Sequence, residues 1–257
     1  MKSSRLVLLA LSCILMLGGP VAARAENALT IAAGAGYKKL VEALGDAYAA
    51  RTGVRPQRVY GNMGQVVAQA RRSGEVDLVV GDKSYLDGSG LEFVAEYPVG
   101  TGRLMLVAAK GLDLPELDGV EVLDAEAAER VLTAPSVTRI ALPDAKKAIY
   151  GRAATQFLAA TGLAEPLQSR LIMVGTVPQV SAYVISGEVD FGFVNLTDAL
   201  AIKGKIARII PVDEALYGPI RIVGKTLTDA PHPDTAADFG EFLNSDEARA
   251  IAIAHGL

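Results

Sequence analysis

Tryptophan is absent from the 257 residues, cysteine occurs once and histidine twice, and aromatic side chains make up 5%. Lys2 and Arg5, the apolar stretch Leu6–Leu17 and the small-x-small site Ala23-Arg24-Ala25 read as a cleavable secretory signal that ends before Glu26. Cys13 lies inside that stretch, so removing the signal removes disulfides, thiolate metal sites and a cysteine nucleophile together. His232 sits in Ala-Pro-His-Pro-Asp and His255 two residues from the C-terminus, and neither has the acid and nucleophile context of a hydrolytic triad. No cluster of soft ligands is present for a metal. The chain is therefore expected not to be an enzyme, with no catalytic residue, no metal site and no cofactor. No apolar run reaches the roughly 20 residues that cross a bilayer. Positive charge is also short. Lys2, Arg5 and Arg24 leave with the signal and no acid does, which takes the formal net charge from −4 to −7. Nucleic acid and anionic membrane are poor partners for such a surface.

Glycine is plentiful, and it falls where strands meet helices. Leu29-Thr-Ile-Ala-Ala-Gly-Ala-Gly-Tyr-Lys-Lys-Leu40 runs from a strand through a glycine loop into a helix, and Val59-Tyr-Gly-Asn-Met-Gly-Gln-Val66 repeats the pattern. Glycines there allow a sharp turn, and the first N–H groups of each helix, with the positive end of its dipole, suit a small anion. Strands at 29–33, 55–60 and 76–80 alternate with helices at 37–52 and 63–73, a βαβαβ unit. Arg103–Ala109 reads as a further strand. A second series follows: strand 139–142, helix 152–160, strand 171–174, helix 177–186 and strand 189–194, which opens at Asn195 into another helix. Strands at 206–212 and 220–223 and helices at 235–243 and 245–255 close the chain. The alternation predicts an α/β protein in which the same module is built twice, with the last segment returning to the first lobe.

Pieces of the chain, in order and spacing, resemble the periplasmic molybdate- and tungstate-binding proteins of ABC importers. They include Ile31–Tyr37, Thr52-Gly-Val54, Gly61–Gly64, Asp77-Leu-Val-Val-Gly-Asp82 and Arg103-Leu-Met-Leu-Val-Ala108. They continue with Ile140-Ala-Leu-Pro-Asp144, Tyr150-Gly-Arg-Ala153, Gly187–Ala199 and Phe242–Ala248. The resemblance covers essentially the whole mature chain. It implies a two-lobed binding protein of the Venus-flytrap type, each lobe a mostly parallel sheet flanked by helices. Residues 26–107 and 214–257 are expected in the first lobe and 108–213 in the second, after a signal at 1–25. It also implies a periplasmic protein, a monomer that is not membrane-spanning once the signal is gone. Its expected role is to capture a small oxyanion such as molybdate or tungstate between the lobes for an ABC permease.

In that family the ion is held by serine hydroxyls, backbone amides and a tyrosine. Carried over by position, the first serine falls at Gly36, the second at Asn62 or Met63, amide donors at Tyr150 and Val177, and the tyrosine at Asn195. The backbone contacts survive these replacements, and the three hydroxyls do not. Asn62 and Asn195 bring amides instead, Tyr150 brings a phenol, and Lys38 and Arg152 lie in first helical turns beside the loops. The expected ligand-binding set is Gly36, Tyr37, Lys38, Asn62, Met63, Tyr150, Val177 and Asn195. A cation and a bidentate arginine in the cleft would favour a carboxylate, phosphate-like or arsenic-type anion. A sensor subunit for a membrane kinase would use the same cleft.

Overall fold

The computed structural model describes residues 28–113 and 115–257. The signal and Cys13 lie outside the described residues. Ten strands form two sheets of five. The first contains β1 (Thr30–Gly34), β2 (Gln57–Gly61), β3 (Leu78–Asp82), β4 (Phe93–Gly102) and β10 (Ile220–Leu227), in the order β2-β1-β3-β10-β4. The second contains β5 (Leu104–Ala108), β6 (Ile140–Pro143), β7 (Leu171–Val174), β8 (Phe191–Asn195) and β9 (Arg208–Pro211), in the order β7-β6-β8-β5-β9. In each sheet one strand runs against the others, β10 in the first and β5 in the second. These two strands carry the chain across from the other lobe. The fold class is thus α/β with two mostly parallel sheets, and the module is built twice as the alternation predicts.

Helices flank both sheets: α1 (Lys38–Thr52), α2 (Met63–Ser73), α3 (Lys83–Asp87), α4 (Ala125–Leu132), α5 (Ile149–Ala160), α6 (Val177–Ser186), α7 (Leu196–Ile202), α8 (Pro233–Leu243) and α9 (Asp246–Ala254). α8 packs on β10 and β4, and α9 on β4, so the C-terminal segment returns to the first sheet. β1, β3, β5, β6 and β8 are buried along nearly their whole length, which is why they read as continuous apolar runs.

Sequence reasoning missed β4 and α4. β4 is an edge of its sheet, has only Tyr97 and Gly102 buried among half-buried and exposed positions, and contains Pro98 and Gly100, so its pattern is weak. α4 had a readable start in Asp124, whose side chain accepts from the Ala127 N–H, with apolar residues at 127, 128, 131 and 132 behind it. The expected lobe boundary at residue 107 falls inside β5, which pairs with β8 and β9. Sheet membership changes between Gly102 and Leu104 instead. The return passage meets the outgoing one there: Gly102 faces Ile220 in the β4–β10 ladder, and Tyr217 Oη accepts from the Leu104 N–H at 3.1 Å.

Candidate functional site

Four chain segments converge between the sheets: the loop after β1, and the starts of α2, α5 and α6. They enclose a cavity of about 30 Å³ lined by residues 34–37, 61–63, 148–150 and 176–177. One water needs about 10–15 Å³, so the space admits an ion of a few atoms and excludes a sugar or a nucleotide. α2, α5 and α6 each begin at this wall. Their first-turn N–H groups have no intrahelical acceptors, and their dipoles place partial positive charge at the cavity.

Two of these starts are built alike. Asn62 accepts from the Gln65 N–H at 2.9 Å while the Gln65 side chain accepts from the Asn62 N–H at 3.0 Å. Thr176 and Gln179 make the same reciprocal pair. Each box follows a glycine against which its glutamine packs closely: a Cβ would come 2.9 Å from Gln65 Cβ at Gly61 and 3.0 Å from Gln179 Oε1 at Gly175. The repeat is thus Gly61-Asn-x-x-Gln65 against Gly175-Thr-x-x-Gln179, a signal present in the sequence but not recognised as a pair. The two boxes touch, since Asn62 Nδ2 donates to the Gly175 carbonyl at 3.2 Å.

Six of the eight expected residues line the cavity: Gly36, Tyr37, Asn62, Met63, Tyr150 and Val177. Met63 is buried and its thioether packs against Gly81 and Gly34, filling the floor, while its backbone starts α2. Gly34 has ordinary extended backbone, and neither it nor Gly36 has a positive φ. The glycine at 36 is required by proximity rather than by the turn: a Cβ there would come 2.9 Å from Asn195 Oδ1 and 3.3 Å from Val177 Cβ.

Asn195 lies behind the first loop, fully buried, and Nδ2 donates to the Gly36 carbonyl at 2.9 Å. A carbonyl only accepts, so this bond fixes the amide orientation and leaves Oδ1 as a buried acceptor without a partner among the described residues. Lys38 is outside the cavity. Its side chain is 55% exposed, 3.8 Å from Glu42, with Nζ 5.7 Å from the Tyr60 ring centroid. Position 38 turns onto the outer face of α1, away from the cavity that the expected site residues line. Arg152 is also occupied elsewhere, donating to Asp82 Oδ1 at 2.7 Å and Ser84 Oγ at 2.9 Å across the lobes. Among the described residues, no lysine, arginine or histidine lines the cavity. Lys147 and Arg72 border a separate open groove outside α2.

Tyr37 and Tyr150 reach the cavity from opposite lobes, and their hydroxyl oxygens are 2.5 Å apart. Burial raises both phenols above the ordinary value of 10.0, and for Tyr37 the neighbouring Tyr150 raises it further. Both stay protonated at neutral pH and act as neutral hydrogen-bonding groups. Gly64 N–H donates to the Lys147 carbonyl at 3.3 Å, adding a further bond between the lobes. The cavity is thus closed by bonds that run from one lobe to the other around its rim.

Two sheets that share a pair of crossing passages and enclose a small site of neutral donors define a two-lobed solute-binding protein. The chain belongs to the bacterial extracellular solute-binding protein family, whose model it matches over residues 29–257. It is 22% identical to the molybdate-binding protein ModA of Rhodobacter capsulatus over 96% of this chain and 93% of that one. It is 30% identical to the molybdate-binding protein ModA of Azotobacter vinelandii over 49% of this chain, a match that spans about half of that relative's length (50%). The solved periplasmic molybdate-binding protein of Azotobacter vinelandii superimposes with a TM-score of 0.76 at 24% identity, over 89% of this chain and 97% of the other, a likeness of fold.

Proposed function

We propose that the protein captures a small, fully ionised oxyanion of the molybdate or tungstate type in the cavity between the lobes and presents it to an ABC permease in the periplasm. The observation that carries this reading is the donor set. Helix starts and phenols surround about 30 Å³, and no charged side chain lines it among the described residues. Preorganised neutral donors stabilise negative charge well in a water-poor site, because they need no reorganisation when the ion arrives. A carboxylate or phosphate-like ligand would call on Lys38 and Arg152, but Lys38 points to solvent and Arg152 pairs with Asp82. The relatives named for molybdate support the same ligand class. We take the lobes to move as bodies about the crossing at Gly102 and Ile220, so that ligand stabilises the closed form that a permease recognises. The role is binding rather than catalysis.

Thermal unfolding of the mature, ligand-stripped protein tests this against molybdate, tungstate, sulfate, phosphate, arsenate, arsenite and small carboxylates. Ligand at about 100 times Kd stabilises by about 2.7 kcal/mol, a rise of several degrees in Tm. The expected response is confined to molybdate and tungstate. A rise with phosphate or a carboxylate alone would transfer the reading to that anion, and no rise with any would reject it.

A further inference from the structure

We infer that Tyr37 and Tyr150 act as one shared hydroxyl donor to the bound anion, assembled from both lobes and backed by Gly102 at the lobe crossing. The inference rests on the oxyanion reading above and goes beyond it by assigning a hydroxyl donor built from both lobes. Two phenols carry two protons. With the oxygens 2.5 Å apart, one proton lies between them, and neither oxygen has another hydrogen-bond partner among the described residues. The second O–H is therefore buried without an acceptor among the described residues, on a pair of tyrosines that both line the cavity, an arrangement that costs free energy until an acceptor arrives. An oxyanion oxygen is such an acceptor. The phenol that donates to the anion also accepts from its partner, which strengthens it as a donor.

Either oxygen can take either role, so the donor does not belong to one residue. What backs the pair is the lobe crossing. A Cβ on Gly102 would overlap Tyr150 Oη and stand 3.0 Å from Tyr37 Oη, so both oxygens rest on the bare backbone where β4 ends. Each phenol has its own O–H, but the pairing forms only when both lobes meet, so the strengthened donor is offered only to ligand in the closed form.

Titration calorimetry with molybdate and tungstate on wild type, Tyr37→Phe, Tyr150→Phe and the double variant tests the pair. Each single variant keeps one O–H for the anion and is expected to bind within about threefold of wild type, while the double loses about tenfold or more, the range of one hydrogen bond to a charged group. Single variants as weak as the double would show that the pair only latches the lobes and would overturn the shared donor. A double variant that binds like wild type would overturn it as well. Phenylalanine keeps the rings, and ligand-free melting curves establish folding. Gly102→Ala is the second test, because it leaves both hydroxyls in the chain and displaces them. It is expected to weaken binding about as much as the double variant, and unchanged affinity would overturn the placement. Wild type that binds neither anion would reject the oxyanion reading itself, an outcome separate from those that reject the pair alone.

Discussion

Asn195, Lys38 and Arg152 show what a side chain's neighbours decide that its sequence position does not. All three stand next to the loops that form the site, and sequence reasoning placed Asn195 and Lys38 in it and Arg152 beside it. The structure sends Lys38 to solvent and Arg152 to Asp82, and sets Asn195 behind the loop as a support for the Gly36 carbonyl. The backbone part of the site was legible, because glycine loops and helix starts announce themselves locally. The direction of a long cationic side chain was not, because it depends on acids from other segments, Glu42 for Lys38 and Asp82 for Arg152. Two outcomes follow at this scale. Lys38→Ala should leave the Kd for molybdate within about twofold of wild type, since an exposed i,i+4 pair contributes only about 0.3–0.5 kcal/mol and the ammonium does not reach the cavity. A tenfold loss by calorimetry would return Lys38 to the site. Arg152→Ala should weaken every ligand in the same proportion, because it removes a bond between lobes and touches no ligand. A change confined to one anion would argue for direct contact.

The helix starts are the unit of the next scale. α2 and α6 are each opened by a reciprocal cap, and the cap residues carry the cavity wall. Asn62→Ala removes the α2 cap and the bond to Gly175 together, so it should lower stability by about 1 kcal/mol and also weaken ligand. Thr176→Ala loses a cap but no cross-lobe side-chain bond, so it should cost similar stability with a smaller change in affinity. Denaturant unfolding and calorimetry on the two variants separate these effects, and equal losses of affinity would assign no binding role to the Asn62–Gly175 contact. The sequence showed both elements, yet the match between Gly61–Gln65 and Gly175–Gln179 is five residues long with two identities. Only strand order makes it visible, since both segments follow the edge strand of their sheet, β2 and β7.

For the whole molecule, the crossing at Gly102 and Ile220, the phenol pair and the cavity lie in one continuous stack. This stack has a signature at high pH. Burial raises the folded-state pKa of Tyr37 and Tyr150 above 10.0, so the folded protein retains protons that the unfolded chain gives up. Stability from this source is intact below pH 10 and falls as pH rises past it. Melting temperatures from about pH 8 to 11 should show that decline, and it should be shallower in the Tyr37→Phe and Tyr150→Phe double variant. Equal slopes would mean that other groups control alkaline unfolding.

The two capped helix starts have a consequence for how a ligand can be oriented. The starts of α2 and α6 come to the cavity one from each half, so these two walls present like arrays of backbone donors. An ion with four equivalent oxygens can be turned end for end in such a site and present the same face to each half. Several indistinguishable orientations then count as bound, and orientational entropy is kept that a ligand with unlike ends must give up. A duplicated architecture selects by the shape symmetry of its cargo as well as by charge.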